Sequence, residues 1–271
     1  MTSHPSALSL ADGKMLYRRD GAVGWLTVNN PERHNACSLD MWEAILEILK
    51  AAEADPALRV LVLTGAGGRA FVSGADISKF EEERAQRDAI GRYDRTTEEV
   101  FEALHLFPKP TVAMIRGWCI GGGMGIAVSC DLRLCTHGSR FGVPASKLGL
   151  GYGADGVRRL VDVVGPSFAK EIFYTARHYD AGEAKEMGLV NRVVSDEEIE
   201  ALVQEYAQTI ARNAPMTIRA VKATITELSK DPDARDMSEV NRLVVACMDS
   251  ADYVEGRRAF MEKRAPVFKD E

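Results

Sequence analysis

Cysteine is scarce in this chain and poorly placed for cross-linking. Its five copies, Cys37, Cys119, Cys130, Cys135 and Cys247, are odd in number and show no C-x-x-C spacing, which argues against a disulfide framework and a zinc site and fits a reducing, cytoplasmic location. The five histidines show no His-x-x-x-His pattern, so no metal is implied. A G-x-S-x-G elbow is absent as well, leaving a serine-hydrolase mechanism without support. Positive charge is in deficit, with 34 Lys and Arg against 40 Asp and Glu and a net charge of −6. With no basic stripe interleaved with aromatics, a nucleic-acid surface is not expected. Long hydrophobic runs are missing too: the apolar stretches are short and broken by glycine, and residues 1–14 have neither an apolar signal core nor an Arg. No membrane span or secretory leader is therefore expected.

What is present is a core-forming chain of 271 residues, 46% of them hydrophobic, enough to fold as one large domain or a domain with an appendage. Strand-type apolar segments at 23–28, 60–64, 111–115, 132–135 and 190–194 alternate with helical patterns, and the fold class reads as α/β. Leu39, Trp42, Ile45, Leu46 and Leu49 recur at helical spacing behind Ser38, a candidate N-cap. A charged segment at 81–95 is a lid candidate. Beyond Asn191 the strand signals fade, and helices are predicted at 197–211, 216–228, 237–248 and 253–264. The domain division expected is a core over residues 1–195 and a helical module over 196–271.

Two glycine-bearing segments carry the chemistry. Ser73-Gly74-Ala75-Asp76-Ile77 follows one apolar strand, and Gly121-Gly122-Gly123-Met124-Gly125 follows another. Glycine leaves main-chain N–H groups open to a substrate carbonyl, the geometry that stabilises a developing oxyanion. An isolated triplet would read as a tight strand-to-helix turn, but a second loop of the same kind favours a pair of donors. A helix predicted at 122–130 would add its N-terminal partial positive charge.

Four further segments extend the pattern: Asn29-Asn30-Pro31-Glu32-Arg33-His34-Asn35-Ala36, Phe141-Gly142-Val143-Pro144, Gly188-Leu189-Val190-Asn191 and Phe260-Met261-Glu262-Lys263-Arg264. In this order they resemble the enoyl-CoA hydratase/isomerase, or crotonase, family from about Tyr17 to the C-terminus. The resemblance implies a crotonase-like spiral of ββα turns with a C-terminal α-helical trimerisation module, acting on an acyl-CoA thioester. Coenzyme A would be part of the substrate, with no separate cofactor. The oxyanion donors would fall on Ala75 and Gly122. Contacts to CoA would come from Arg33, from Ala75, Asp76 and Ile77, and from Phe260 and Lys263, three apart on one helix face and commonly supplied by a neighbouring subunit. A homotrimer or dimer of trimers is implied.

The family's hydratases carry two glutamates that this chain lacks: their positions are Gly125 and Ala145. Neither residue can deprotonate water or protonate an α-carbon. Two nearby candidates remain. Asp155 is either a carboxylate two residues out of the register used by isomerases and aryl-CoA dehalogenases, or the N-cap of a helix beginning at Gly156. Tyr152, within Leu148-Gly149-Leu150-Gly151-Tyr152, resembles in part the loop of the family's methylmalonyl-CoA decarboxylases; otherwise it is a loop aromatic covering the core. The readings left open are a lyase or isomerase that stabilises a thioester enolate, a malonyl-type decarboxylase using Tyr152, and a catalytically inactive acyl-CoA-binding protein.

Overall fold

The computed structural model describes residues 6–75 and 87–271. It opens with a meander, β1 (Ala7–Leu10), β2 (Met15–Asp20) and β3 (Val23–Val28), followed by helix α1 (Leu39–Ala54). Three units of two strands and a helix come next: β4 (Val60–Gly65), β5 (Ala70–Val72) and α2 (Arg87–His105); β6 (Thr111–Ile115), β7 (Trp118–Ile120) and α3 (Gly122–Ser129); and β8 (Leu132–Thr136), β9 (Arg140–Gly142), the short α4 (Ala145–Leu148) and the long α5 (Ala154–Thr175). β10 (Tyr179–Asp180), α6 (Ala181–Glu186) and β11 (Arg192–Val194) lead to four helices, α7 (Ile199–Arg212), α8 (Pro215–Leu228), α9 (Met237–Met248) and α10 (Ala251–Glu262).

The first strand of each unit joins a seven-stranded sheet ordered β1-β2-β3-β4-β6-β8-β11, and the second joins a four-stranded sheet ordered β10-β9-β7-β5. Every turn of chain thus adds one parallel strand to each sheet, which makes the path a spiral. Pairing is parallel from β3 through β11 and from β5 through β9, and antiparallel only at β1, β2 and β10.

Alternation along the strands divides the apolar residues between two cores. Leu61 and Leu63 face the larger one, with Met41, Trp42, Ile45 and Ile48 of α1. Val60 and Val62 face the other side, with Trp25, Val112 and Met114, where Ile199, Val203 and Ala207 of α7 cover them. Buried side chains of this size contribute about 1.5–3 kcal/mol each, so both faces of the large sheet are firmly seated. The strands expected at 23–28 and 111–115 have those bounds, and the others begin or end within two residues of expectation. Ser38 does occupy the N-cap of α1, but its hydroxyl turns to Asp40 and makes no capping bond to the helix backbone.

Candidate active site

The first motif is a clamp. Asn35 is fully buried and, with His34, has positive φ (56° and 52°). Its Nδ2 donates to the carbonyls of Ala66 (3.0 Å) and Ala70 (2.7 Å), and its Oδ1 accepts from the Asn30 N–H at 2.9 Å. Asn30 Nδ2 in turn donates to the Ala36 carbonyl at 2.9 Å. The clamp ties the loop to the start of β5 and leaves Arg33 exposed at its tip, with its carbonyl 3.5 Å from the Ser73 hydroxyl. Arg33 therefore stands beside the first glycine loop.

That loop is then fixed by strand-like pairing. Cys37 N–H donates to the Gly74 carbonyl at 2.9 Å, and Cys37 and Ala75 form a parallel bridge. Gly74 has φ of 105°, a conformation that side chains rarely adopt. A methyl group there would stand 3.8 Å from the Gly122 nitrogen, and one on Gly122 would stand 3.7 Å from Gly74 Cα. The two loops meet side-chain-free face to side-chain-free face. As the first residue of α3, Gly122 has an N–H with no acceptor inside the helix. Asp76 and Ile77 lie outside the described residues, as do residues 81–86 of the 81–95 segment.

A residue that sequence reasoning missed anchors α3 from behind. Arg133, 7% exposed, donates to the carbonyls of Ala127 (3.2 Å) and Cys130 (2.6 Å) at the C-terminus of the helix and to Leu189 (2.7 Å). A guanidinium here satisfies carbonyls that the helix leaves open and matches the sign of its dipole. α3 is thereby held at its C-terminal end.

The wall beside the donors is aromatic. Trp42 Cζ2 lies 3.1 Å from where a methyl on Gly122 would be. Its indole N–H donates to the Tyr93 hydroxyl at 2.8 Å, and that hydroxyl donates to the Cys37 carbonyl at 3.1 Å. Phe101 packs edge-on to Trp42, with ring centroids 5.7 Å apart. A Cβ on Gly125 would fall 2.3–2.7 Å from three atoms of the Phe101 ring. The space that a side chain at position 125 would enter is thus filled by an aromatic ring from another helix. Ala145 is buried in the core at the start of α4.

Tyr152 sits in the loop before α5, 39% exposed, edge-on to Phe173 at 5.1 Å. Desolvation pushes its hydroxyl above the ordinary tyrosine value of 10.0, so it remains a hydrogen-bond donor through neutral pH. Asp155 requires a correction. The N-cap of α5 is Gly153, and Asp155 lies within the first turn, where its charge complements the helix dipole without capping it. It faces a cavity of about 300 Å³ with Glu102, His105, Arg158 and Lys230, which neither glycine loop lines.

Phe260 and Lys263 also differ from expectation. α10 ends at Glu262, and Lys263 is a left-handed cap (φ 54°), so the pair does not share a helical face. Phe260 is 82% exposed and borders an apolar groove of about 900 Å³ with Val221, Val244, Met248, Tyr253 and Met261. Neither Arg33 nor Ala75 lines that groove. Cys37 is no nucleophile: it is fully buried, its thiol is pushed up by desolvation and donates to the Asn35 carbonyl at 3.7 Å.

A family profile described as enoyl-CoA hydratase/isomerase matches residues 18–271. The chain belongs to the enoyl-CoA hydratase/isomerase family. It is 33% identical to the short-chain-enoyl-CoA hydratase of Clostridium acetobutylicum, over 92% of this chain and 95% of that protein. It is 32% identical to the crotonyl-CoA hydratase of Syntrophomonas wolfei, over 96% and 99%. Among solved structures, an enoyl-CoA hydratase/carnithine racemase from Magnetospirillum magneticum superposes with a TM-score of 0.91 at 36% identity, covering 97% of this chain and 98% of that one. The spiral, the α/β class and the C-terminal helices are those of the crotonase fold, and the chain is a crotonase-family enzyme that acts on acyl-CoA.

Proposed function

We propose that this enoyl-CoA hydratase/isomerase family member stabilises the enolate of an acyl-CoA thioester at the Ala75 and Gly122 N–H groups, without the paired-glutamate water chemistry of the family's hydratases. Arg33 contacts the CoA phosphates beside the first loop. Phe260 and Lys263 complete the CoA site from a neighbouring subunit in a homotrimer or dimer of trimers. The exposed apolar groove around Phe260 supports that assembly. One observation carries the reading of the chemistry: Phe101 occupies the space into which a side chain at 125 would project. A glutamate there has been replaced both in sequence and in volume. The names of the curated relatives support an acyl-CoA substrate, while Gly125 and Ala145 set this chain apart from two-glutamate hydration.

A second reading draws on Tyr152. In decarboxylation of a malonyl-type thioester, the bond from Cα to the carboxylate carbon breaks and CO₂ leaves. The electron pair passes into the enolate, whose oxygen rests on the two N–H groups, and a proton then returns to Cα. The step needs an oxyanion hole and a hydrogen-bond donor near the carboxylate rather than a base to activate water. A partly exposed Tyr152 whose hydroxyl is kept protonated by desolvation meets the second need. Mass-resolved turnover of crotonyl-CoA, longer enoyl-CoAs and methylmalonyl-CoA by the purified protein tests both readings. Loss of CO₂ without hydration supports the second. Hydration at enzymatic rates refutes the claim that two-glutamate-type chemistry has been lost. CoA binding with no turnover identifies an inactive binding protein.

A further inference from the structure

Resting on the enolate reading, we propose that Glu98 is the catalytic residue that exchanges the proton at Cα of the bound thioester, a carboxylate supplied by α2 where Gly125 and Ala145 offer none. α2 runs alongside the oxyanion helix. At its Tyr93 level it meets Trp42, whose ring lies against Gly122, and at its Phe101 level it meets Gly125. Glu98 falls between these levels, one turn before Phe101, on the side of the helix that faces α5.

Its two oxygens are in different situations. Oε1 accepts from Arg159, which is 8% exposed and whose guanidinium carbon lies 5.8 Å over the Phe101 ring. A buried Arg is costly without such a partner, and the pairing fixes the direction of the carboxylate. Oε2 has no hydrogen-bond donor among the described residues. It lies 4.0 Å from where a Cβ on Gly156 would be, and Tyr152 Cδ1 lies 3.7 Å from the same point. The free oxygen and the Tyr152 ring therefore flank one side-chain-free face of the α5 N-terminus. Asp155 instead lines a cavity with Arg158, Lys230 and the Arg159 that holds Oε1.

The step balances without a co-reactant. Oε2 takes the Cα proton, the C–H electron pair forms the carbon–carbon double bond of the enolate, and the carbonyl pair moves to the oxygen held by Ala75 and Gly122. Reversal returns the proton from Glu98 to Cα. Arg159 is a positioning residue, acting only through the carboxylate.

The test is deuterium entry at Cα of butyryl-CoA in D₂O, followed by mass spectrometry on the full-length protein, with acetoacetyl-CoA binding measured in parallel. Glu98→Gln should slow exchange by about 100-fold or more and leave acetoacetyl-CoA affinity within about twofold, as befits a group that moves a proton rather than holds the oxyanion. Glu98→Ala should regain exchange on addition of formate, a response that a purely structural role would not give. Arg159→Lys, which keeps the charge but not the fork, should lower the exchange kcat with KM unchanged. Wild-type exchange that Glu98→Gln retains in full overturns the role of Glu98 and leaves the enolate reading standing. A Glu98→Ala protein that binds acetoacetyl-CoA but ignores formate also overturns it. Absence of exchange and of turnover in the wild-type protein overturns both.

Discussion

At position 125 a missing side chain and a filled space are one fact. A Cβ there would sit 2.3 Å from Phe101 Cζ, well inside contact distance, and the ring belongs to an edge-on pair with Trp42 that leaves it little freedom. Restoring the glutamate alone, Gly125→Glu, should therefore destabilise the fold by about 1–3 kcal/mol, the usual scale of overpacking, and should not create hydratase activity. Phe101→Ala alone should cost about 3–5 kcal/mol through its cavity. Because each change relieves the defect of the other, the double variant should be more stable than the sum of the two predicts, which a double-mutant cycle by chemical denaturation checks. The glycines themselves were legible in sequence, since each oxyanion loop is a local string with a local consequence. Phe101 was not, because 24 residues separate it from Gly125 and nothing in a helical pattern says which apolar residue reaches which glycine. Glu98 was hidden for the same reason: it is one charge in an acidic and basic helix until Arg159, 61 residues later, picks it out.

Elements were legible in proportion to their length. Four strands of the large sheet, β3, β4, β6 and β8, carry four or five apolar or β-branched residues each, and the last four helices show clear periodicity. The small sheet does not announce itself, since β5, β7 and β9 have three residues each and β10 two, too few for a period-2 pattern. Yet this sheet delivers Gly74 and Gly121 to each other. Helix starts were the weakest reading. Asp155 has the residue type of an N-cap but lies inside α5, because the chain already turns helical at Ala154. A true cap stands at α6, where Asp180 accepts from the Glu183 N–H at 2.9 Å while Glu183 accepts from the Asp180 N–H at 3.0 Å. The reciprocal pair secures a six-residue helix that could not persist alone. Asp180→Ala should lower stability by about 0.5–2 kcal/mol in urea denaturation, with acyl-CoA binding unchanged.

On the scale of the whole molecule, the C-terminal helices leave an apolar face uncovered within one chain. Phe260 and Met261 are 82% and 80% exposed beside an apolar groove of about 900 Å³, an exposed apolar patch of the kind that marks an interaction site. If neighbouring subunits cover it, Phe260→Glu should shift the mass seen by light scattering toward the monomer and weaken CoA binding together. The tail beyond α10 is tied inward instead. Asp252 accepts from the Lys269 and Asp270 N–H groups at 2.7 and 2.9 Å, and Asp270 accepts from both terminal guanidinium nitrogens of Arg219 (2.5 and 2.8 Å) and forms an ion pair with Arg59 at 3.1 Å. Burial pushes the Asp270 carboxyl up, but the Arg219 hydrogen bonds and the charges of Arg219, Arg59 and Lys109 outweigh it and hold it below its ordinary 3.8. The folded protein therefore binds fewer protons than the unfolded chain across that window, and stability rises with pH there. This contribution is complete above the unfolded carboxylate value and disappears as pH falls through the folded one. Asp270→Asn should lower the melting temperature at pH 7, and the gap between variant and wild type should close as the medium is acidified from about pH 5 to about pH 2. A gap that stays constant over that range would place the effect of Asp270 in packing rather than in its charge.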